Sequence, residues 1–281
     1  MTTSINPDSL CTCGSKLQVK NCCFKILDTT PRGLKTNYSN PKCYAMELCD
    51  CSKTISKEHY FSKSVMNLWG KEGILEAPFI VGKCKSLKVE SLSAKILCER
   101  HNNALSSLDD LAKKFFEFAL LKTEHRHLII RGADLERWML KVMCGYIATG
   151  YAQTKSGILM PAKPPPLAAL NTLFGNLELP KSWGLAIPET HGIPLPHVIK
   201  LSVLADDNNV VIGCEVTLHY IRLLFFLINI KERQKNIKKI THRPSCFAFK
   251  VNGVYREVHF GWPEGAFVNI NFDFNSSMPT D

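Results

Sequence analysis

The stretch Ile55-Ser56-Lys57-Glu58-His59-Tyr60, read together with the later Leu97-Cys98-Glu99-Arg100-His101-Asn102, decides the fold of this chain. Cys43, Cys49 and Cys51 precede both segments. Glu58-His59 alone is a common dipeptide, and its weight comes from the ordered succession of cysteines, acidic-histidine pair and Cys98-x-x-His101-Asn102. Neighbouring side chains on a strand project to opposite faces, so Glu58 and His59 can serve one ligand only where the strand bulges or ends.

Residues 43 to 109 resemble the HNH endonucleases, through Cys43, Cys51, Ile55-Ser56-Lys57-Glu58-His59 and Cys98-x-x-His101-Asn102-x-x-Leu105-Ser106-x-x-Asp109. The resemblance covers about a quarter of the chain. It implies a ββα-metal core in which a hairpin strand ends on the acidic-histidine pair and a helix supplies the last ligand. His59, with an ordinary pKa of about 6.5, would be the general base. Glu58 would offer Mg2+ or Mn2+ a hard oxygen and Asn102 a neutral carbonyl oxygen, leaving positions for water and a phosphate oxygen. Cys43, Cys51, Cys98 and His101 are the preferred ligands of a structural zinc, needed because so small a unit cannot hold catalytic groups rigid by packing alone. Cys49 competes with Cys51, and His101 has a rival role on the catalytic cation. Cys84 reads as a structural or surface thiol. Ser106 and Asp109 are expected to cap a helix starting near Ser107.

Upstream, Cys11-Thr12-Cys13-Gly14-Ser15 and Cys22-Cys23 place four thiols in a short span. Thiolates are the soft ligands that zinc prefers, and Gly14 permits a tight turn after the first pair. These residues resemble the SEC-C motif, a zinc module at the terminus of the bacterial translocase ATPase. That resemblance implies a docking module for a protein partner or nucleic acid and no catalysis.

Downstream, Leu108, Leu111, Ala112, Phe115, Phe116, Ala119 and Leu120 recur at helical spacing, and Asp134 to Ile147 gives a second helix with Leu135, Trp138, Met139, Val142, Met143 and Tyr146 on its apolar face. His125 and His127 fall near the end of the first helix. Pro161 to Pro166 interrupts regular structure. Beyond it, β-branched residues dominate at Val210, Val211, Ile212, Val216 and Thr217, and Asn252-Gly253 supplies a hairpin turn between Phe247 to Val251 and Val254 to Phe260. Lys231, Arg233, Lys235, Lys238, Lys239 and Arg243 form the densest basic run, a candidate strip for the DNA backbone or a solvated face.

The chain has 281 residues, 45% of them hydrophobic, and a net charge of +10, a balance that suits a polyanionic partner. Twelve cysteines without a signal-like segment at Met1 to Leu10 favour zinc in a reducing, cytoplasmic setting over disulfides. The most apolar run, Ile221 to Ile230, is short and broken by Arg222, so no membrane insertion is expected.

The expected architecture is therefore α+β: a zinc-binding module over residues 1–30, a zinc-braced ββα core with its following helices over 38–150, and a mixed or β-rich region over 151–281. The expected function is that of a metal-dependent endonuclease nicking DNA one strand at a time. By analogy with the family, such a chain would serve antiphage defence, as in Zorya-type systems, or a mobile element. The alternative is a non-catalytic zinc adaptor that docks protein or nucleic acid.

Overall fold

The structure, a computed structural model, describes residues 6, 8–11, 15–69, 74–76, 92–154, 156–175, 177–188, 198–206, 208–218, 220–229, 240–251, 253–262 and 269–274. In chain order, β1 (Ile55–His59) and the short α1 (Lys63–Met66) lead to β2 (Ile74–Glu76), β3 (Ser93–Cys98) and α2 (Glu99–Ala119). Strand β4 (His127–Arg131) runs directly into α3 (Gly132–Thr149), and α4 (Leu167–Leu173) follows. The remaining strands are β5 (Gly184–Pro188), β6 (Val198–Ala205), β7 (Val211–Leu218), β8 (Ile221–Phe226), β9 (Ile240–His242), β10 (Cys246–Val251), β11 (Val254–Gly261) and β12 (Asn269–Phe274). The α+β class expected from the sequence is what the chain adopts.

Among the described residues three sheets form. β1 pairs antiparallel with β3; β12-β10-β11-β4 form a four-stranded sheet; and β2-β6-β7-β8-β5-β9 form a six-stranded one. Val251 pairs opposite Val254, the antiparallel register expected on either side of residues 252 and 253, with Gly253 at φ 78°; Asn252 lies outside the described residues. The apolar run after Val216 becomes β7 and β8, buried along most of their length. Among the described residues no helix is long and apolar enough to cross a membrane.

Helix α3 sits at the centre. It touches α2, α4, β3, β4, β5, β7, β8 and β11. Its apolar face is accordingly wider than the stripe read from the sequence, with Leu140, Cys144 and Ile147 buried alongside Trp138 and Met139. A helix flanked on several sides needs apolar residues around most of its circumference. The core is shared across position 151: β4 pairs with β11, β2 pairs with β6, and one apolar cluster runs from Tyr44 to Phe260. The segments before and after that position therefore do not fold around separate cores.

Two expectations need correction. The long helix begins at Glu99 instead of near Ser107, because Cys98, in extended conformation, is its N-cap. Ser106 and Asp109 thus lie inside the helix, where Ser106 bonds back to the Asn103 carbonyl and Asp109 serves a buried network. The helix ends at Ala119, so His127 opens β4 instead of closing a helix.

Gly145 lets α3 approach the chain immediately after β1. A Cβ there would lie 2.4 Å from Tyr60 Cβ and 3.1 Å from its Cα. The backbone on one side and a packed helix on the other leave little room to yield. Gly145→Ala is expected to cost about 1–3 kcal/mol through overpacking, read as a lower midpoint in urea, and an unchanged midpoint would show that the contact relaxes.

Candidate functional site

The antiparallel β1–β3 pair and the first turn of α2 are tied together by Cys43, Cys51, Cys98 and His101, all buried, with ligand atoms within 4.8 Å of one another. His101 Nδ1 lies 3.5 Å from Cys43 Sγ, 3.8 Å from Cys51 Sγ and 3.2 Å from Cys98 Sγ. A tetrahedral zinc with bonds of about 2.3 Å to sulfur and about 2.0 Å to nitrogen requires S···N edges of about 3.5 Å. The donor set and spacing therefore fit a structural zinc.

The chain positions these donors by local means. Cys98 ends β3 and caps α2, which puts His101 one turn into the helix. Cys43 precedes a short 3-10 turn at Met46–Leu48, and Cys51 is held by its amide on the Tyr38 carbonyl. The Ser52 amide donates to Cys98 Sγ at 3.3 Å, and Asn40 Nδ2 donates to the Ser52 and Lys53 carbonyls. Arg100 clamps Asp50 at 2.9 and 3.0 Å, locking the cysteine loop to the helix. The hydrogen bond from Cys43 chiefly draws the Cys98 thiol well below its ordinary range, while that same bond and burial push Cys43 upward. Cys49 is exposed and lies outside the group, whereas Cys51 lies within it.

At the N-terminus, Cys11, Cys22 and Cys23 form a second group compatible with structural zinc; Cys13 lies outside the described residues. Ser15 Oγ lies 3.0 Å from Cys22 Sγ. This module rests on the four-stranded sheet, with Cys11 and Val19 packed on Ile129 and Phe24 filling the space left open by Gly261.

β1 ends at His59, where the strand end was expected, with a register shift between Ser56 and Glu58. The two side chains nevertheless part company. Glu58 is 3% exposed and its carboxylate lies 2.8 Å from Lys141 Nζ. Lys141, itself 2% exposed, also binds Asp109 Oδ2 at 2.6 Å. Asp109 accepts from Ser62, which accepts from Trp138 Nε1 at 2.8 Å. Burial raises the Glu58 pKa, and Lys141 opposes that rise.

His59 is half-buried, and its Nε2, itself buried, has no hydrogen-bond partner among the described residues. Burial, then the charges of Lys63, Lys141 and Lys57, lower its pKa below the ordinary 6.5. Neutral imidazole is thus its resting form near neutral pH. Asn102 sits half-exposed in the first turn of α2, and among the described residues no hydrogen bond or ion pair joins it to Glu58 or His59.

Of the basic run, Lys231, Arg233, Lys235, Lys238 and Lys239 lie outside the described residues. Arg243 is not a free surface cation: it pairs with buried Glu136 at 2.9 Å through two nitrogens and lies over Trp262. Cys84 also lies outside the described residues. Sequence reading missed Lys141 as the partner of Glu58. Its signal was a lysine within the apolar stripe of α3, between Trp138 and Met143.

No protein-family model, no curated protein and no solved structure matches the chain.

Proposed function

We propose that the zinc-braced hairpin and helix carry a phosphodiesterase site centred on His59, acting on DNA and nicking one strand at a time. The observation that carries this reading is His59 itself. It ends β1 with a buried Nε2 that has no hydrogen-bond partner among the described residues, is kept neutral by its surroundings, and is flanked by exposed Lys57 and Lys63. Neutral imidazole accepts the proton of a water whose oxygen bonds to phosphorus, the ester P–O bond breaks, and the leaving oxygen takes a proton from solvent. Lysine ammonium groups beside that base favour a phosphate. The resemblance to HNH endonucleases over residues 43 to 109 supports the same assignment, with zinc as the brace.

The resemblance also implies Mg2+ or Mn2+ on Glu58 and Asn102. Glu58 as placed does not fit that ion, because the Lys141 ammonium already pairs with its carboxylate. The proton step above uses no cation. That same ion pair favours a second reading, in which the zinc unit docks nucleic acid or protein without cutting.

Supercoiled-plasmid nicking by the full chain, with magnesium, with manganese and with chelator, separates the two. Wild type is expected to nick, and His59→Ala to lose about 100- to 10,000-fold in rate, the usual contribution of a general base. The rate should rise with pH and level off below pH 6.5, because the base works deprotonated and its pKa is lowered. Retarded DNA without nicking would favour docking, and nicking indifferent to His59→Ala would remove the proposed base.

A further inference from the structure

We propose that His127, Glu257 and His259 form a third metal site, distinct from both cysteine groups, that takes a divalent transition ion of the zinc class with coordination positions left open. The register places all three on one sheet face. β4 and β11 run parallel with His127 opposite Glu257 and Ile129 opposite His259. Residues two apart on a strand share a face, so Glu257 and His259 project alongside His127.

The donors converge on one another. His127 Nδ1 lies 3.1 Å and His259 Nε2 3.0 Å from the same carboxylate oxygen, Glu257 Oε2. All three ligand atoms lie within 4.8 Å of one another, and the two rings stack at 6.0 Å with 29° between their planes. Ligands at adjacent positions around an ion with bonds of about 2.1 Å stand about 3.0 Å apart in octahedral geometry and about 3.4 Å apart in tetrahedral geometry. Both N···O distances match the octahedral spacing.

The carboxylate is also oriented from behind. Tyr255, on the same face, donates to Glu257 Oε1 at 2.9 Å, leaving Oε2 for the imidazoles. Such outer-sphere contacts are what hold metal-binding carboxylates in place. Two nitrogens and one oxygen favour zinc, cobalt or nickel over magnesium or calcium, which prefer all-oxygen sets. Side-chain exposures of 50% for His127, 23% for Glu257 and 16% for His259 leave one side reachable from solvent. With three protein ligands, at least one position stays open to water or a further ligand.

The location is not isolated. The N-terminal cysteine module covers Ile129 and Gly261 on this same face, so the triad lies at its margin. His127 also lines a cavity of about 540 Å³ whose wall includes Cys22, Cys23 and Ile129. A ligand on the open side of the ion would have that cavity beside it.

The test is titration of zinc-replete full-length protein with Co2+, followed by calorimetry and visible absorption. Wild type is expected to take up one Co2+ equivalent beyond the zinc held by the cysteines, with ligand-field bands and no thiolate-to-cobalt charge transfer. His127→Ala and His259→Ala should each lose that equivalent while keeping their zinc content and melting temperature, and Tyr255→Phe should bind about 10- to 100-fold more weakly. Absence of the extra equivalent in folded wild type would leave a hydrogen-bonded triad and overturn the site. So would uptake that survives both histidine substitutions, or that carries the thiolate band.

Discussion

Lys141→Met is expected to remove about 3–5 kcal/mol of stability, the cost of leaving a buried charge without its partner. Lys141 is the counterion of Glu58 at 2.8 Å and of Asp109 at 2.6 Å, and both Lys141 and Glu58 are almost wholly buried. Methionine fills a similar volume, so what it removes is chiefly the charge. Against a total of about 5–15 kcal/mol for an ordinary domain, that loss brings the chain near its folding limit. The defect should depend on pH in a defined direction. Burial raises the Glu58 pKa above its ordinary 4.5 even with Lys141 present. A carboxyl raised on folding contributes stability that is fully present below its unfolded value and lost as pH rises through its folded value. Without the ammonium the folded value moves higher still, so the variant should be least impaired at acidic pH and progressively worse as pH rises. Urea midpoints at about pH 5 and about pH 8 read this directly. The double variant Glu58→Gln with Lys141→Met should recover part of the loss, because it removes the uncompensated charge. Equal losses at both pH values, or no recovery in the double variant, would mean that the lysine acts through packing and not through charge.

The same network shows what the sequence did and did not disclose. The grouping of Cys43, Cys51, Cys98 and His101 could be anticipated because zinc chemistry restricts donor types and spacing, and the four do converge in a buried group compatible with structural zinc. The antiparallel pairing of β10 with β11 was legible for a similar local reason: the short connection between Val251 and Val254 fixes which strands face each other. Glu58 was misread in its company. Its destination depends on Lys141, which is distant in sequence and belongs to a helix whose periodicity is otherwise apolar, so nothing near Glu58 signals it. The parallel pairing of β4 with β11 was equally hidden, since parallel register is set by packing against α3 and not by a turn. His127, Glu257 and His259 could therefore be brought together only by the folded structure.

Zinc removal is expected to have the largest effect of all on the hairpin and the start of α2. The loop from Asn40 to Thr54 contains no regular element beyond one short 3-10 turn, and its order rests on the cysteine group, the Asn40 bonds and the Arg100–Asp50 pair. Structural zinc contributes apparent free energies of about 10–16 kcal/mol in small zinc-finger peptides, where binding and folding are one event. Here the apolar cluster runs beyond the cysteine group into α3 and the sheets, so the loss should be local. A strong chelator, or Cys98→Ser, is expected to expose the amides of residues 40–59 and 93–102 to hydrogen exchange while α3, β7 and β8 stay protected. Cys43→Ser should act likewise. Cys49→Ser should leave zinc content and protection unchanged, because that thiol is exposed and apart from the other three. Metal analysis of these variants separates the two cysteine groups, since substitutions at 43 or 98 should remove one zinc and leave the other. If the hairpin keeps its protection after verified zinc loss, packing alone holds His59 in place and the brace is dispensable; if Cys49→Ser loses zinc as Cys98→Ser does, the ligand set must be redrawn.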